Sequence, residues 1–146
     1  MTRHQKDVSF DYATIMKDAG TIAASAAAQV GGVDKILDLG TGRVDGRVIL
    51  DVTVVTVADT DEVHGIIFQV SSSATFASAI KNIATLELNA LAVSRGGIDV
   101  GGLLGHYELG VCNEYNGTLY RYARLYTHAS GTTPGIGYTA HLALKA

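Results

Sequence analysis

Arg47-Val48-Ile49-Leu50-Asp51-Val52-Thr53-Val54-Val55-Thr56-Val57 decides how the rest of the chain is read. Val48, Leu50, Val52 and Val54 fall on one side of an extended backbone, with Arg47, Asp51 and Thr53 on the other. Ile49 and Val55 put apolar groups on the second side, which is therefore expected to be partly covered. Asp45-Gly46, just before this run, suits the positive backbone angles of a tight hairpin turn. It would join Arg47–Val57 to a short candidate strand, Lys35–Leu39.

The same language continues outward from this run. In Val63–Ser71, Ile66, Phe68 and Val70 alternate with Ile67 and Gln69. Thr85–Val93 alternates Leu86, Leu88, Ala90 and Ala92 with Thr85, Glu87 and Asn89. Ile83, Leu86 and Ala90 also fit helical spacing, so a helical turn around Phe76–Ala84 stays open. Gly105–Cys112 and Thr118–Thr127 flank Asn116-Gly117, a strong hairpin signal. Gly137–Leu144 closes the chain with Tyr138, Ala140, Leu142 and Leu144 on one face. Thr21–Val30 reads as a short helix, a connector or an eighth strand. The pattern predicts an all-β chain, a jelly roll or antiparallel β-sandwich of about 7–8 strands.

The 146 residues suit one domain. Residues 1–20 lack alternation and carry more charge, so Met1–Gly20 reads as an arm or lead-in, leaving 21–146 as a single jelly-roll domain. The arm is expected to serve assembly more than folding. With 11 basic and 14 acidic side chains, the net charge of −3 argues against a nucleic-acid partner. Charged residues make up 17% of the chain, below the roughly 25% of an average soluble domain. Such a surface buries readily against other protein because few charges are stranded. No signal or membrane-spanning stretch is read, so no membrane partner is expected. Cys112 is the single cysteine and forms no internal disulfide.

Several motifs invite chemistry and fall short. Asp38-Leu39-Gly40-Thr41-Gly42 is similar to the glycine-rich loop of S-adenosylmethionine-dependent methyltransferases, but that loop must open a helix. Here a β-branched strand follows, so the motif reads as a strand end and hairpin turn. His106-Tyr107-Glu108 with the later His141 is an incomplete version of the cupin metal set, which needs a second histidine beside the first. Cys112 has no nearby base, Ser71-Ser72-Ser73 reads as a loop, and Asp59, Asp61 and Glu62 read as a solvated acidic turn. No catalytic, cofactor-binding or metal-binding residue is assigned.

Tyr120-Arg121-Tyr122-Ala123-Arg124-Leu125-Tyr126 carries more weight. On a strand, Tyr120, Tyr122, Arg124 and Tyr126 share one face. Arginine stacked on tyrosine suits a protein interface, although a cross-strand aromatic cluster or a carbohydrate platform would use the same residues. Arg3, Phe10 and Tyr12 of the arm join these four as candidate interface residues.

Ile36-Leu37-Asp38-Leu39-Gly40, Asp45-Gly46-Arg47, Val63 to Phe76, Gly137-Tyr138-Thr139-Ala140 and especially Asn113-Glu114-Tyr115-Asn116-Gly117-Thr118-Leu119-Tyr120-Arg121-Tyr122-Ala123-Arg124-Leu125-Tyr126 resemble the capsid cement (decoration) proteins of tailed bacteriophages, in particular the Bordetella-phage cement family. The resemblance covers roughly residues 18–146. It implies a jelly-roll virion protein on the outer surface of the icosahedral head, assembled in the bacterial host cytoplasm. Its implied partner is the major capsid protein, whose subunits it clamps together, and the family brings no catalytic residues. A homo-dimer or homo-trimer is expected, because exposed sheet edges need cover. A lectin-like jelly-roll module is the alternative reading, and a cupin-type metalloenzyme the third.

Overall fold

The computed structural model describes residues 8–9, 14–57, 61–89 and 103–145. The described strands are β1 (Val8–Ser9), β2 (Ile15–Lys17), β3 (Thr21–Ile22), β4 (Ala26–Ala27), β5 (Gln29–Val30), β6 (Val33–Asp34), β7 (Leu37–Asp38) and β8 (Asp45–Val55). They continue with β9 (Val63–Ser71), β10 (Lys81–Glu87), β11 (Gly105–Cys112), β12 (Glu114–Tyr115), β13 (Thr118–Leu119), β14 (Tyr122–Ser130) and β15 (Ile136–Lys145).

Two antiparallel sheets carry the fold. In the first, β15 lies between β8 and the short strands β1, β2 and β3, and β11 pairs with the far side of β8. In the second, β14 lies between β9 and the short strands β4 and β7, and β10 pairs with the far side of β9. Counting β1–β3 as one strand position and β4 with β7 as the next gives eight positions, which the chain visits in jelly-roll order. The fifteen segments exceed the expected seven or eight because the first two positions are broken into pieces and two small hairpins, β5–β6 and β12–β13, are added. Thr21–Val30, left open by its composition, is extended, as β3, β4 and β5.

The core lies between the sheets. Val48, Leu50 and Val52 of β8 and Ile136, Tyr138, Ala140 and Leu142 of β15 meet Ile66, Phe68 and Val70 of β9 and Ala123 and Leu125 of β14. Each large aliphatic or aromatic side chain hidden here contributes about 1.5–3 kcal/mol. Tyr138 is fully buried, and its hydroxyl shares a 2.6 Å hydrogen bond with Thr127 Oγ1, which ties the two sheets together.

Several expectations need correction. Asp45-Gly46 is no turn: both residues belong to β8, where Gly46 faces Val111 on one side and Leu144 on the other. A Cβ at Gly46 would lie 2.6 Å from the Ala143 carbonyl oxygen, so this glycine permits close strand approach. The turn falls earlier, at Gly40 (φ +80°), and leads from the second sheet to the first rather than through a hairpin. Val54 does not stay on the core side. Thr53 is skipped in the register with β15, and this bulge leaves Val54 exposed and turns Val55 inward. Lys35–Leu39 shrinks to Leu37–Asp38. The strand expected at Thr85–Val93 is Lys81–Glu87, and positions 90–93 lie outside the described residues. Positive φ at Phe76 and Ala79, with a strand from Lys81, replaces the helical turn considered for Phe76–Ala84.

Asn116-Gly117 does form a two-residue turn, with φ of +50° and +81°. It joins only β12 and β13, because β11 and the strand expected at Thr118–Thr127 belong to opposite sheets. Asn113 secures that crossing. Its Nδ2 donates to the carbonyls of Gly42 (2.9 Å) and Tyr120 (3.0 Å), and its Oδ1 accepts from the Val44 amide (2.8 Å).

The lead-in boundary at Gly20 also moves. Ile15–Lys17 pairs with β15, and Met16 is fully buried in the core. Lys17 is buried too, and its ammonium donates to the carbonyls of Asp18, Gly20 and Tyr138 at 2.9–3.0 Å while lying 4.7 Å from the Tyr138 ring centre. Desolvation lowers its pKa, partly countered by Asp18. A three-residue strand is too short to display alternation, which is why these positions read as part of an arm.

Candidate interaction face

Along β14 the period of two is strict. Ala123, Leu125, Thr127 and Ala129 face the core, while Tyr122, Arg124, Tyr126, His128 and Ser130 form a half-buried outer row. The row is bordered by β9, where Gln69 stands opposite Arg124 and Ile67 opposite Tyr126. Its other border is made of short pieces: Asp38 of β7 opposite Tyr122 and Ala27 of β4 opposite Tyr126.

Arg124 is the centre of this face. Its Nε donates to Gln69 Oε1 at 2.9 Å, and Gln69 is fixed in turn by donating to Asn82 Oδ1 at 2.9 Å. The guanidinium carbon lies 4.4 Å from the Phe76 ring centre and 5.4 Å from that of Tyr126. Burial lowers the Arg124 pKa, with smaller opposing effects from Asp34 and Tyr126. Phe76 reaches this position from a loop that places it at φ +54°, a conformation rare for a bulky residue. Serines hold the loop: Phe76 N donates to the Ser73 carbonyl, Ala77 N to Ser73 Oγ, and Ser71 Oγ to the Ser78 carbonyl. Sequence reading took these serines as a bare loop and missed both Phe76 and Gln69.

Arg121 behaves differently. Its Nε and Nη2 each reach an Asp38 carboxylate oxygen at 2.8 Å, and the same guanidinium lies 5.5 Å from the Tyr122 ring centre. Hydrogen bonds from Arg121 and from the Gly40 amide push the Asp38 pKa down to about 2. At the far end of the row, Ser25 Oγ lies 3.3 Å from His128 Nδ1 and accepts from the Ala129 amide at 3.0 Å.

Of the expected interface residues, Tyr122, Arg124 and Tyr126 are brought together on one face. Tyr120 is separated from them: it precedes β14, its amide donates to the Asn113 carbonyl at 2.8 Å, and its side chain packs against the core. The break between β13 and β14 shifts it off the ladder. Arg3, Phe10 and Tyr12 lie outside the described residues.

The outer face of the first sheet is built on charge. Arg47 Nη1 meets Glu108 Oε2 at 3.1 Å, and His106 lies between Asp51 (3.0 Å) and Glu108 (3.6 Å). Those carboxylates, Asp51 above all, raise the His106 pKa. His106 and Glu108 are exposed here instead of facing the sandwich interior, where a cupin ligand set would have to point. His64 is fully buried, with Nδ1 donating to the Leu88 carbonyl (2.9 Å) and Nε2 accepting from the Gly135 amide (3.1 Å), so both ring nitrogens are engaged by backbone. Among the described residues no group of three or more His, Cys, Asp or Glu side chains is placed to hold a metal ion. Cys112 is half-buried at a cleft of about 770 Å³, together with Ile83, Val111, Asp45 and Lys145.

Compared with known proteins, the chain matches no family model and none of the curated proteins.

Proposed function

We propose that this chain is a structural protein of a tailed-bacteriophage virion, a cement on the outer surface of the head that stabilises contacts between major capsid protein subunits. It acts through binding and carries out no catalysis. The observation that supports this reading best is the Tyr122–Arg124–Tyr126 face, an aromatic surface around a half-buried cation on an inner strand. Tyrosine and arginine are the residue types that dominate the energetics of protein interfaces. The jelly roll agrees with what the sequence resemblance implies, and the charge-poor composition suits a chain that spends its life against other protein. Repetition over a symmetric head supplies avidity, so each contact can be weak. On this reading the chain assembles in the host cytoplasm as a homo-dimer or homo-trimer.

The test is co-sedimentation of the purified chain with phage heads prepared without it. Saturable binding, followed by higher resistance of the heads to heat or denaturant, is the expected result. Failure to bind any head preparation would sink the reading.

A further inference from the structure

Of the arginines among the described residues, Arg43, Arg47 and Arg121 each hold at least one carboxylate at ion-pair distance. Arg124 holds none among the described residues, although it is the one drawn into a half-buried site. Its Nε is committed to Gln69, while its terminal nitrogens have no hydrogen-bond acceptor there and open to solvent. Phe76 and Tyr126 lie against the guanidinium, their ring centres 4.4 and 5.4 Å from its central carbon. What remains is a pre-set pair of parallel N–H donors, the fork that matches the two oxygens of a carboxylate.

We propose that Arg124 is the receptor for a single Asp or Glu side chain on an extended segment of a partner protein, with the half-buried Tyr126 and Ile67 packing on the neutral residues beside it while the buried Phe76 backs the guanidinium. This rests on the reading of the β14 face as the interface. A carboxylate delivered here would offset the desolvation that the guanidinium already bears. The surroundings discriminate against polyanions. Asp34, close enough to influence Arg124, is held by Gln29 Nε2 at 2.9 Å. With this acidic neighbour and a net charge of −3, a nucleic-acid backbone would be repelled where one isolated carboxylate fits.

The experiment is an NMR titration of the isotope-labelled full chain with three short extended peptides that differ only at a central Glu, Gln or Lys between valines and threonines. An oligothymidine serves as the fourth probe. The Glu peptide should bind in the millimolar range or tighter and shift the Arg124 side-chain Nε–H signal, while the Gln, Lys and oligothymidine probes leave it in place. Arg124→Gln should weaken Glu-peptide binding by roughly tenfold or more, Arg124→Lys should fall between, and Arg47→Gln on the opposite face should change nothing. A melting curve for each variant checks that the fold persists. Equal binding of the Glu and Gln peptides, unaltered binding by Arg124→Gln, or no Glu-peptide binding at millimolar concentration would overturn the proposal. So would marked tightening on Asp34→Asn, which would show that Asp34 fills the fork in solution. Peptide binding without head binding rejects the cement reading alone, and head binding that ignores Arg124→Gln rejects the carboxylate receptor alone.

Discussion

The two ends of the described chain build equivalent strand positions by different means. β15 runs ten residues without interruption and presents Ile136, Tyr138, Ala140 and Leu142 to the core. The position beside it is assembled from β1, β2 and β3, none longer than three residues, and its counterpart in the second sheet from β4 and β7, of two residues each. A long strand is held by its ladder and its apolar face. A broken one has only a short stretch of each, so polar side chains help to secure the pieces, as Lys17 does for β2 and Asp38 for β7. β4 and β7 also form one border of the Tyr122–Arg124–Tyr126 row, which places the candidate interface between the sturdy and the pieced-together parts of the second sheet.

The largest way to break this contrast is Lys17→Ala. The change strips a charged donor from three carbonyls, one of them on buried Tyr138, and should cost about 3 kcal/mol. For a domain of this size that is a fall in Tm of roughly 6–12 °C. Lys17→Met keeps most of the packing and separates the lost hydrogen bonds from the lost methylenes. If Lys17→Ala melts with the parent protein, the short strands are held by something other than this ammonium.

Asn113→Ala sharpens the comparison at a crossing between two long strands. Three backbone groups lose their partner, those of Gly42, Val44 and Tyr120, and the cost should be about 2 kcal/mol. Hydrogen exchange gives the location: protection should fall around Val44 and Tyr120 and persist in β9 and β15. Uniform loss across both sheets would mean that the crossing and the long strands open as one unit.

How much of this was legible follows from the same contrast. Val63–Ser71 is a strand with the boundaries its alternation predicts, because nine residues are enough to write a period of two, and Gly105–Cys112 keeps its expected bounds although the hairpin that suggested it does not form. Met16 and Lys17 could not be read as core, since β2 is too short and Lys17 finds the Tyr138 carbonyl 121 positions away. At the candidate face, Tyr122, Arg124 and Tyr126 follow directly from strand spacing. Phe76 does not, because nothing in Ser73-Ala74-Thr75-Phe76 announces a positive φ that carries the ring over to Arg124. Gln69 looked like an ordinary polar position on a strand, and only its place opposite Arg124 makes it an orienting group.

The smallest expected effect concerns Asp38, the polar fastening of β7. Its carboxyl titrates at about 2 in the folded chain against an ordinary 3.8, held down chiefly by Arg121 and then by the Gly40 amide. A depressed folded pKa means that the unfolded chain takes up the proton first as the solution is acidified. The stabilisation is therefore fully present above about pH 4 and drains away as pH falls towards about 2. Asp45 and Asp61 are lowered as well, so acid unfolding of the parent protein alone cannot isolate Asp38. The stability difference between the parent and Asp38→Asn does isolate it. That difference, measured by denaturant unfolding from pH 5 to pH 2, should be largest at the upper end and shrink steadily below pH 4. Added salt should reduce it throughout, because the pair with Arg121 is solvent-exposed and screened. A difference that stays constant across this range would show that Asp38 holds β7 through its shape and its bond to Gly40, with its charge contributing nothing.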